Sequence, residues 1–304
     1  MSRKIVLAID FNNVVFASYY GQHLINSKGV NVNAVKGFFY KLKSLMDVFN
    51  PDYIVLANDL SREKTFRRKL YKPYKAQRKP VDEDIIKQMS YISTLVSLLG
   101  YPMINDEKYE ADDILGMISR MAEDQGMDTV IISSDKDLYQ LITDHVYVMS
   151  PRNSEIIDSY WLKNNYKLTP DQWIELKMLQ GDRSDNIPGV PGIGEVTALQ
   201  LMQDYHSIDG IYQNLKSLKP KVKETLINAK DDMELMRKLV TIITDYSLIG
   251  LTPDMLKLTE AYPKEIYLML NDLEVYSLLN LFQYEIIPYN RGGNKDENKS
   301  ESNS

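Results

Sequence analysis

The chain has 304 residues, of which 44% are hydrophobic and 26% are charged, and its net charge at pH 7 is −6. This composition is typical of a globular protein with one large domain or two modest ones; no apolar run reaches the roughly 18 residues of a membrane helix, and no signal segment is evident, so a cytoplasmic location is expected. The absence of cysteine excludes disulfides and thiolate metal sites, and His23, His145 and His206 show no metal-binding spacing, so any bound metal would be a hard cation held by carboxylates.

Predicted strands and helices alternate in the first half of the chain. Short apolar runs rich in β-branched residues predict buried strands at 4–9, 53–57 and 129–133. Apolar residues at helical spacing predict helices at 34–49, 82–99 and 110–123. This alternation indicates an α/β domain with a largely parallel sheet.

The pattern changes to successive helices from about Thr169, where a Thr-Pro-Asp sequence is a helix start signal. We therefore expect a boundary near residue 165, between an α/β half at 1–165 and a helical half at 166–289. The polar tail at 290–304 is expected to be disordered.

Each of the three predicted strands is followed closely by an aspartate: Asp10, Asp59 and Asp135. Sites in open parallel sheets form at the carboxyl ends of the strands, so these three side chains are expected to converge on one crevice. Aspartate after a strand is also a common turn or helix cap, which could explain any one of them without a function. It explains all three together less well.

Further acids lie in the motifs YEADDI, SSDKD and GDRSDN, which contribute Glu110, Asp112, Asp113, Asp137, Asp182 and Asp185. Acids at the start of a helix could simply complement its dipole. If the segments meet, however, so many like charges could not stay ionised without cations. Mg²⁺ is the natural candidate, and two such ions about 4 Å apart are a recurrent solution for phosphodiester hydrolysis.

In this order, the motifs resemble those of the 5′-nuclease (flap endonuclease) family, which includes the 5′-nuclease domain of bacterial DNA polymerase I and stand-alone phage 5′-exonucleases of the ribonuclease H type. The matching segments are IDFNN at 9–13, AND at 57–59, TFRRKLYKPYKAQR at 65–78, YEADDI at 109–114, SSDKDLYQL at 133–141 and QGDRSDNIPGVPGIGEVTALQL at 180–201. They cover residues 4–205, and the last segment is the most specific.

The resemblance implies an α/β fold: a PIN-like nuclease domain with a mostly parallel central sheet and a helical arch at about 60–82, followed by a helical subdomain with a helix-hairpin-helix element. It implies a structure-selective 5′-3′ exonuclease and flap endonuclease that acts on DNA, and on RNA primers of RNA–DNA hybrids, by a two-metal-ion mechanism with Mg²⁺, which Mn²⁺ can replace.

The resemblance also implies a set of metal ligands, direct or through water: Asp10, Asp59, Glu110, Asp112, Asp113, Asp135, Asp137, Asp182 and Asp185. Asp59, Glu110 and Asp112 are expected nearer the catalytic ion. Asp135, Asp137 and Asp185 are expected nearer the second ion. Asp10 is expected to act through water.

A basic segment at 62–79 is hidden by the negative net charge, since it holds nine Lys or Arg and one Glu, a balance of 9 − 1 = +8. Charge alone fits a solvated surface equally well, but tyrosines among cations favour nucleic acid, because rings stack on bases while Lys and Arg hold phosphates. The resemblance places Arg67, Lys75 and Arg78 near the scissile phosphate as catalytic cations. It assigns general DNA binding to Arg68, Lys69, Lys72 and Tyr74.

Gly192 and Gly194 lie in a glycine-proline cluster that leads into a predicted helix, where free backbone N–H groups could bind phosphate. A tight turn of purely geometric purpose is the alternative. The resemblance identifies this cluster as a helix-hairpin-helix element, which grips the duplex backbone and can hold K⁺; Lys219, Lys221 and Lys223 could extend that surface.

The chain departs from the polymerase-domain pattern after the first strand. Many relatives have Asp-Gly-Ser there and an Arg seven residues past the Asp, whereas this sequence has Asp10-Phe11-Asn12-Asn13 and Ala17. The YEADDI and IDF forms are closer to the phage ribonuclease H type. With no polymerase sequence following, the protein is expected to act alone or with a partner polymerase.

Two other functions fit part of the pattern: a PIN-type ribonuclease of single-stranded RNA and a non-catalytic module that binds branched DNA. The basic segment and the hairpin disfavour the first, and the complete acid set disfavours the second. The expected partners are DNA with 5′ ends, flaps or branches, RNA–DNA hybrids, and a polymerase, clamp or single-strand binding protein. We expect a monomer, without membrane contact, in the cytoplasm of a bacterium or a phage-infected host.

Overall fold

A computed structural model describes residues 3–21, 24–60 and 63–282. The tail predicted to be disordered at 290–304 lies outside these residues, as do His23 and Arg62. No helix within the described ranges is both long enough and apolar enough to cross a membrane.

The centre of the molecule is a six-stranded sheet. Its strands, in chain order, are β1 (Ile5–Asp10), β2 (Tyr53–Ala57), β3 (Met103–Ile104), β4 (Asp128–Ile132), β5 (Val146–Met149) and β6 (Ile156–Ile157). They are arranged in the order β3-β2-β1-β4-β5-β6, parallel except for the antiparallel edge strand β6. The three predicted strands are confirmed and form the middle of this sheet.

Five helices accompany the sheet before residue 125: α1 (Phe11–Tyr19), α2 (Asn33–Phe49), α3 (Phe66–Leu70), α4 (Glu83–Leu98) and α5 (Ala111–Asp124). The predicted helices at 34–49, 82–99 and 110–123 are confirmed as α2, α4 and α5. Eight more follow: α6 (Ser159–Asn165), α7 (Pro170–Gln180), α8 (Glu195–Tyr205), α9 (Ile208–Gln213), α10 (Pro220–Asn228), α11 (Met233–Val240), α12 (Pro263–Asp272) and α13 (Ser277–Leu281).

The sheet is buried on both faces, which explains its continuous apolar strands. Val6 and Ala8 of β1 point into a core shared with α5 and most of the later helices. Leu7 and Ile9 point into a second core with α1, α2 and α4. Alternate residues of β1 therefore belong to two different cores, one on each face of the sheet. The carboxyl ends of the strands lie between these cores.

Two helices of the later half, α12 and α13, pack against the sheet side of the molecule. Apolar residues of α12 and α13, among them Ile266, Leu270 and Leu278, are buried in the second core beside α2 and α4. These amphipathic helices cover the sheet side opposite to α5, because that side would otherwise expose apolar residues to water.

The predicted arch is also less helical than expected. Within residues 63–82, only α3 is helical, and residues 71–82 form turns and extended backbone. Lys75 has a φ of +53°, a left-handed conformation that cannot continue a helix. Lys75 and Arg78 therefore do not share a helix face, but a turn brings both of them to Asp185.

Candidate metal centre

The aspartates at the strand ends meet as predicted. Asp10, Asp59 and Asp135 line one cavity of about 170 Å³, and Glu110 and Asp112 reach it from the start of α5. Because β1 lies between β2 and β4, the crevice is located where the strand order reverses, the usual position of a site in an open α/β sheet.

The aspartates that line the cavity also accept hydrogen bonds from backbone N–H groups at the starts of helices. Asp10 ends β1 and caps α1, since its Oδ1 accepts a hydrogen bond from the Asn13 N–H at 3.0 Å, while Oδ2 accepts from the Ser133 hydroxyl at 2.8 Å. Asp59 accepts from the Ala111 N–H at 2.7 Å. The caps fix the direction of each carboxylate toward the cavity, so the two interpretations of these acids are compatible.

Four of the acids face the cavity without a cationic partner: Asp10, Asp59, Asp112 and Asp135. The ion pairs of the crevice, within the described chain, all involve other carboxylates. Burial and the repulsion of neighbouring aspartates raise the pKa of Asp10 to about 7 and the pKa of Asp112 well above its usual range. These four carboxylates thus repel one another without an ion-pair partner, and the charge of Lys75 offsets the repulsion only in part, at Asp112. We call this half of the crevice the open half.

The other half is neutralised by the protein's own cations. Lys75 Nζ lies 2.5 Å from Glu110 and 3.6 Å from Asp185, and Arg78 forms a further ion pair with Asp185. The backbone N–H of Lys75 donates to the carbonyl of Asp185 at 2.8 Å, so the basic turn is docked onto the GDRSDN segment. This docking places the predicted cations beside the predicted acids. We call this side the paired half.

Lys177 of α7 belongs to the paired half and was missed in the sequence. Its ammonium lies 2.6 Å from a carboxylate oxygen of both Asp137 and Asp182. Although burial opposes ionisation of Asp182, bonds from Lys177 and Ser184 lower its pKa to about 2. The pKa of Asp137 is raised to about 7, because burial and Asp135 outweigh Lys177. The sequence signal for this role was the position of Lys177, which lies between apolar residues of a predicted helix and five residues before Asp182.

Asp113 and Arg67 have a structural role that corrects both predictions for them. Each is at most 3% exposed, and the Arg67 guanidinium binds Asp113 through two hydrogen bonds of 2.6 and 2.7 Å. Asp113 also accepts from the N–H groups of Glu110 and Ile243, while Arg67 donates to the carbonyls of Leu239 and Thr241. Both groups are fully occupied, so neither reaches a metal or a phosphate.

Tyr74 and Arg68 likewise differ from the DNA-contact prediction. The Tyr74 ring is 4% exposed, and its hydroxyl donates to Glu110 at 2.8 Å and to Asp185 at 3.2 Å, so it cannot stack on a base. Arg68 donates to the carbonyls of Lys72 and Tyr74 and so holds the turn together. Lys69 and Lys72 remain exposed.

The donors suit a hard divalent cation, because each is an oxygen and none of the four carboxylates of the open half forms an ion pair within the described chain. In the described part of the chain, no three acidic side chains are spaced to hold one ion directly as they stand. Both oxygens of Asp10 already accept a hydrogen bond, which fits the prediction that it acts through water.

The glycine cluster forms a hairpin between α7 and α8. Gly192 has a φ of +80°, Gly194 is the N-cap of α8, and no atom lies within 4 Å of the position that a Cβ would take at either residue. Thr225 of α10 donates to the carbonyl of Pro191 at 2.6 Å, which brings the middle of α10 next to the hairpin. The exposed backbone at the start of α8 could bind a phosphate.

Comparison with known proteins gives a consistent result. Residues 5–167 match the family model "5′-3′ exonuclease, N-terminal resolvase-like domain", and residues 168–264 match "5′-3′ exonuclease, C-terminal SAM fold". The thermostable DNA polymerase I of Thermus aquaticus is 36% identical over 280 residues, which are 91% of this chain and 33% of that protein. The chain thus spans about a third of the length of the curated relatives it matches.

Solved structures show the same fold. Zinc-bound T5 5′-exonuclease superposes with a TM-score of 0.68 at 21% identity, covering 89% of this chain and all of that one. A complex of the bacteriophage T5 flap endonuclease with DNA and metal ions gives a TM-score of 0.64 at 22% identity over the same shares. The catalytic core of Rad2 with a DNA substrate gives 0.56 at 16% identity, covering 89% of this chain and 88% of that one.

Proposed function

The chain belongs to the 5′-3′ exonuclease family, and from this premise we propose that it hydrolyses phosphodiester bonds at the 5′ ends and flaps of DNA, and in RNA primers of RNA–DNA hybrids. We propose that it does so as a metal-dependent 5′-3′ exonuclease and flap endonuclease, and its membership of this family supports the proposal. The substrates, ions and residue roles are proposals.

One observation supports the proposal most strongly: the open half, in which four carboxylates without cationic partners face one small cavity. Such a group calls for divalent cations, and we propose Mg²⁺, with Mn²⁺ able to replace it. Asp59, Asp112 and Asp135 would hold ions directly, and Asp10 would do so through water. Bound ions would generate hydroxide at neutral pH and stabilise the charge of the attacking and leaving oxygens.

The paired half would hold the substrate phosphate. Lys75 lies at the cavity edge, bonded to Glu110, and an ammonium there can stabilise the charge that develops on a phosphate. Arg78 also lines the cavity and could bind two phosphate oxygens at once. We propose that both exchange part of their carboxylate contacts for the substrate. We expect Lys75→Ala to slow cleavage far more than it weakens binding; equal losses would indicate a simple phosphate contact.

The hairpin between α7 and α8 would grip the duplex backbone beside the cavity. We propose that its backbone groups bind phosphate and a K⁺ ion, and that Lys69 and Lys72 attract the DNA. Association with a polymerase, clamp or single-strand binding protein, and a monomeric state, remain part of this proposal.

The test is cleavage of a 5′-labelled flap duplex with Mg²⁺, with EDTA, and by Asp135→Asn. Products near the flap junction that require both the metal and Asp135 are expected. Binding without cleavage would instead support a non-catalytic branched-DNA module. Cleavage of single-stranded RNA in preference to the flap would support a PIN-type ribonuclease.

A further inference from the structure

A second and larger cavity, of about 560 Å³, lies on the other side of α1. Its walls come from α1, α2 and the turn between β5 and β6. The volume lies within the range of roughly 300–1,000 Å³ that is common for small-ligand sites. None of the residues assigned to the metal centre lines it.

Three cations line this cavity: Lys36, Lys41 and Arg152. No acidic residue is among its lining residues, and none of the three cations forms an ion pair within the described chain. Lys43, also on α2, differs, because it pairs with Asp47 one turn later. The cavity therefore collects unneutralised positive charge, in a protein whose net charge is −6. It fits an anionic ligand.

An aromatic ring lies among these cations. Tyr40 lines the cavity with 43% of its surface exposed, and Lys36 Nζ lies 5.8 Å from the centre of its ring. An accessible ring next to unpaired cations is the combination that binds an unpaired base and its phosphate. A free inorganic anion would not use the ring.

Small side chains make the room for a ligand. Ala17, Ser18 and Gly37 line the region where α1 and α2 approach, and a Cβ at Gly37 would lie 3.0 Å from the Ser18 Cβ. Ala17 stands where a larger side chain on α1 would project into the cavity. A larger side chain at Ala17 is therefore expected to reduce the cavity's volume.

The two cavities share helix α1. Its residues Asn12, Asn13 and Phe16 face the metal centre, whereas Val14, Ala17 and Ser18 face the basic cavity. A helix with its side chains is about 10–12 Å across, so the two sites are a few nucleotides apart. A nucleic acid positioned for cleavage in one can reach the other.

We propose that the basic cavity is a nucleotide subsite that holds an unpaired nucleotide of the DNA substrate, with its phosphate on Lys36, Lys41 and Arg152 and its base against Tyr40. The proposal rests on the proposed function, because it takes the substrate to be branched DNA. It assigns a binding role to residues outside the metal centre. These residues would raise the affinity for branched DNA that has an unpaired segment.

The test measures binding directly, so that its outcome does not depend on cleavage. In an Asp135→Asn background, flap DNA and a blunt duplex of equal length are titrated by fluorescence anisotropy at several salt concentrations. We expect the triple variant Lys36→Ala, Lys41→Ala, Arg152→Ala to bind flap DNA roughly tenfold more weakly and to lower the salt slope by about 2, with a smaller change for the blunt duplex.

Two further variants separate shape from charge. Lys43→Ala removes a neighbouring but paired cation and is expected to bind like the parent protein. Ala17→Phe fills the cavity without changing charge and is expected to weaken flap binding while leaving the salt slope unchanged. Unfolding temperatures show whether each variant is folded.

Unchanged flap binding by the triple variant would overturn the proposal. So would a loss of flap affinity no greater than that of Lys43→Ala, or an equally large loss of affinity for the blunt duplex. Failure of the proposed nuclease function would appear differently, as an absence of metal-dependent cleavage by the parent protein while these binding differences persist.

Discussion

The open half and the paired half of the crevice use the same kind of side chain under opposite electrostatic conditions. In the paired half, Lys75, Arg78 and Lys177 form ion pairs with the carboxylates; the pKa of Asp182 is lowered to about 2, whereas burial and Asp135 still raise the pKa of Asp137 to about 7. In the open half none of the four carboxylates forms an ion pair in the described chain, and burial raises the pKa of Asp10 to about 7. The number of acidic residues alone therefore does not locate a metal site. We expect the metal beside the acids that have no ion-pair partner.

Asp112→Asn breaks the open half and is expected to have the largest effect. It removes a ligand without changing shape, so cleavage should fall roughly 10³-fold, a loss comparable to that of a principal electrostatic contact in an active site. Single-turnover cleavage of flap DNA measures this. Asp171→Asn, which changes an exposed acid in the first turn of α7, is the matched control and should cleave normally. Full activity in Asp112→Asn would remove the basis for the metal assignment.

Arg67→Ala tests the buried ion pair with Asp113, which adjoins the paired half because Arg67 also pairs with Glu110. It leaves the Asp113 carboxylate, which is 0% exposed, without its guanidinium, and removing one partner of a buried pair costs about 3–5 kcal/mol. We expect a comparable loss in the free energy of unfolding by urea, whether or not Mg²⁺ is present. Unchanged stability, with lost DNA cleavage, would restore the prediction that Arg67 acts on the phosphate.

Asp10→Asn is expected to stabilise the metal-free protein above neutral pH. The pKa of Asp10 is about 7 in the folded state against 3.8 ordinarily, so the folded state holds the proton more tightly and its stability falls as pH rises from about 4 to 7. The amide removes this cost, which is on the order of 4 kcal/mol. Urea unfolding in EDTA at pH 5 and pH 8 should show the larger gain at pH 8. An equal gain at both values would contradict the assigned cause.

Lys177→Met removes a cation from the paired half and is expected to have the smallest effect. Without the ammonium, Asp137 and Asp182 join the uncompensated acids, so the affinity for Mn²⁺ should rise roughly tenfold, or about 1.4 kcal/mol. Calorimetric titration without DNA measures this. Unchanged affinity would show that Lys177 does not compete with a cation.

The sequence predicted the parts of the site that depend on local pattern. Apolar, β-branched runs indicated β1, β2 and β4, and the geometry of parallel sheets then placed Asp10, Asp59 and Asp135 together. The pairing of charges was not predictable in this way. Arg67 and Asp113 are 46 residues apart, and only tertiary packing decides whether an arginine in a basic segment faces solvent or an internal carboxylate.

Tertiary packing likewise explains the other differences. The packing of α12 and α13 in the second core was not predicted, because local pattern does not show which surface a helix covers. Tyr74 belongs to a basic segment, yet its hydroxyl is bound between Glu110 and Asp185 because the turn folds inward. The sequence pattern alone does not show that the Tyr74 side chain points into the protein.

The account's central claim is that the open half is where divalent cations bind, and crystals grown with Mn²⁺ test it most directly. Anomalous difference density is expected in the cavity bounded by Asp10, Asp59, Asp112 and Asp135, and it should disappear there in Asp112→Asn crystals. Manganese found only among the carboxylates that Lys75, Arg78 and Lys177 already neutralise, or only on the surface, would contradict it.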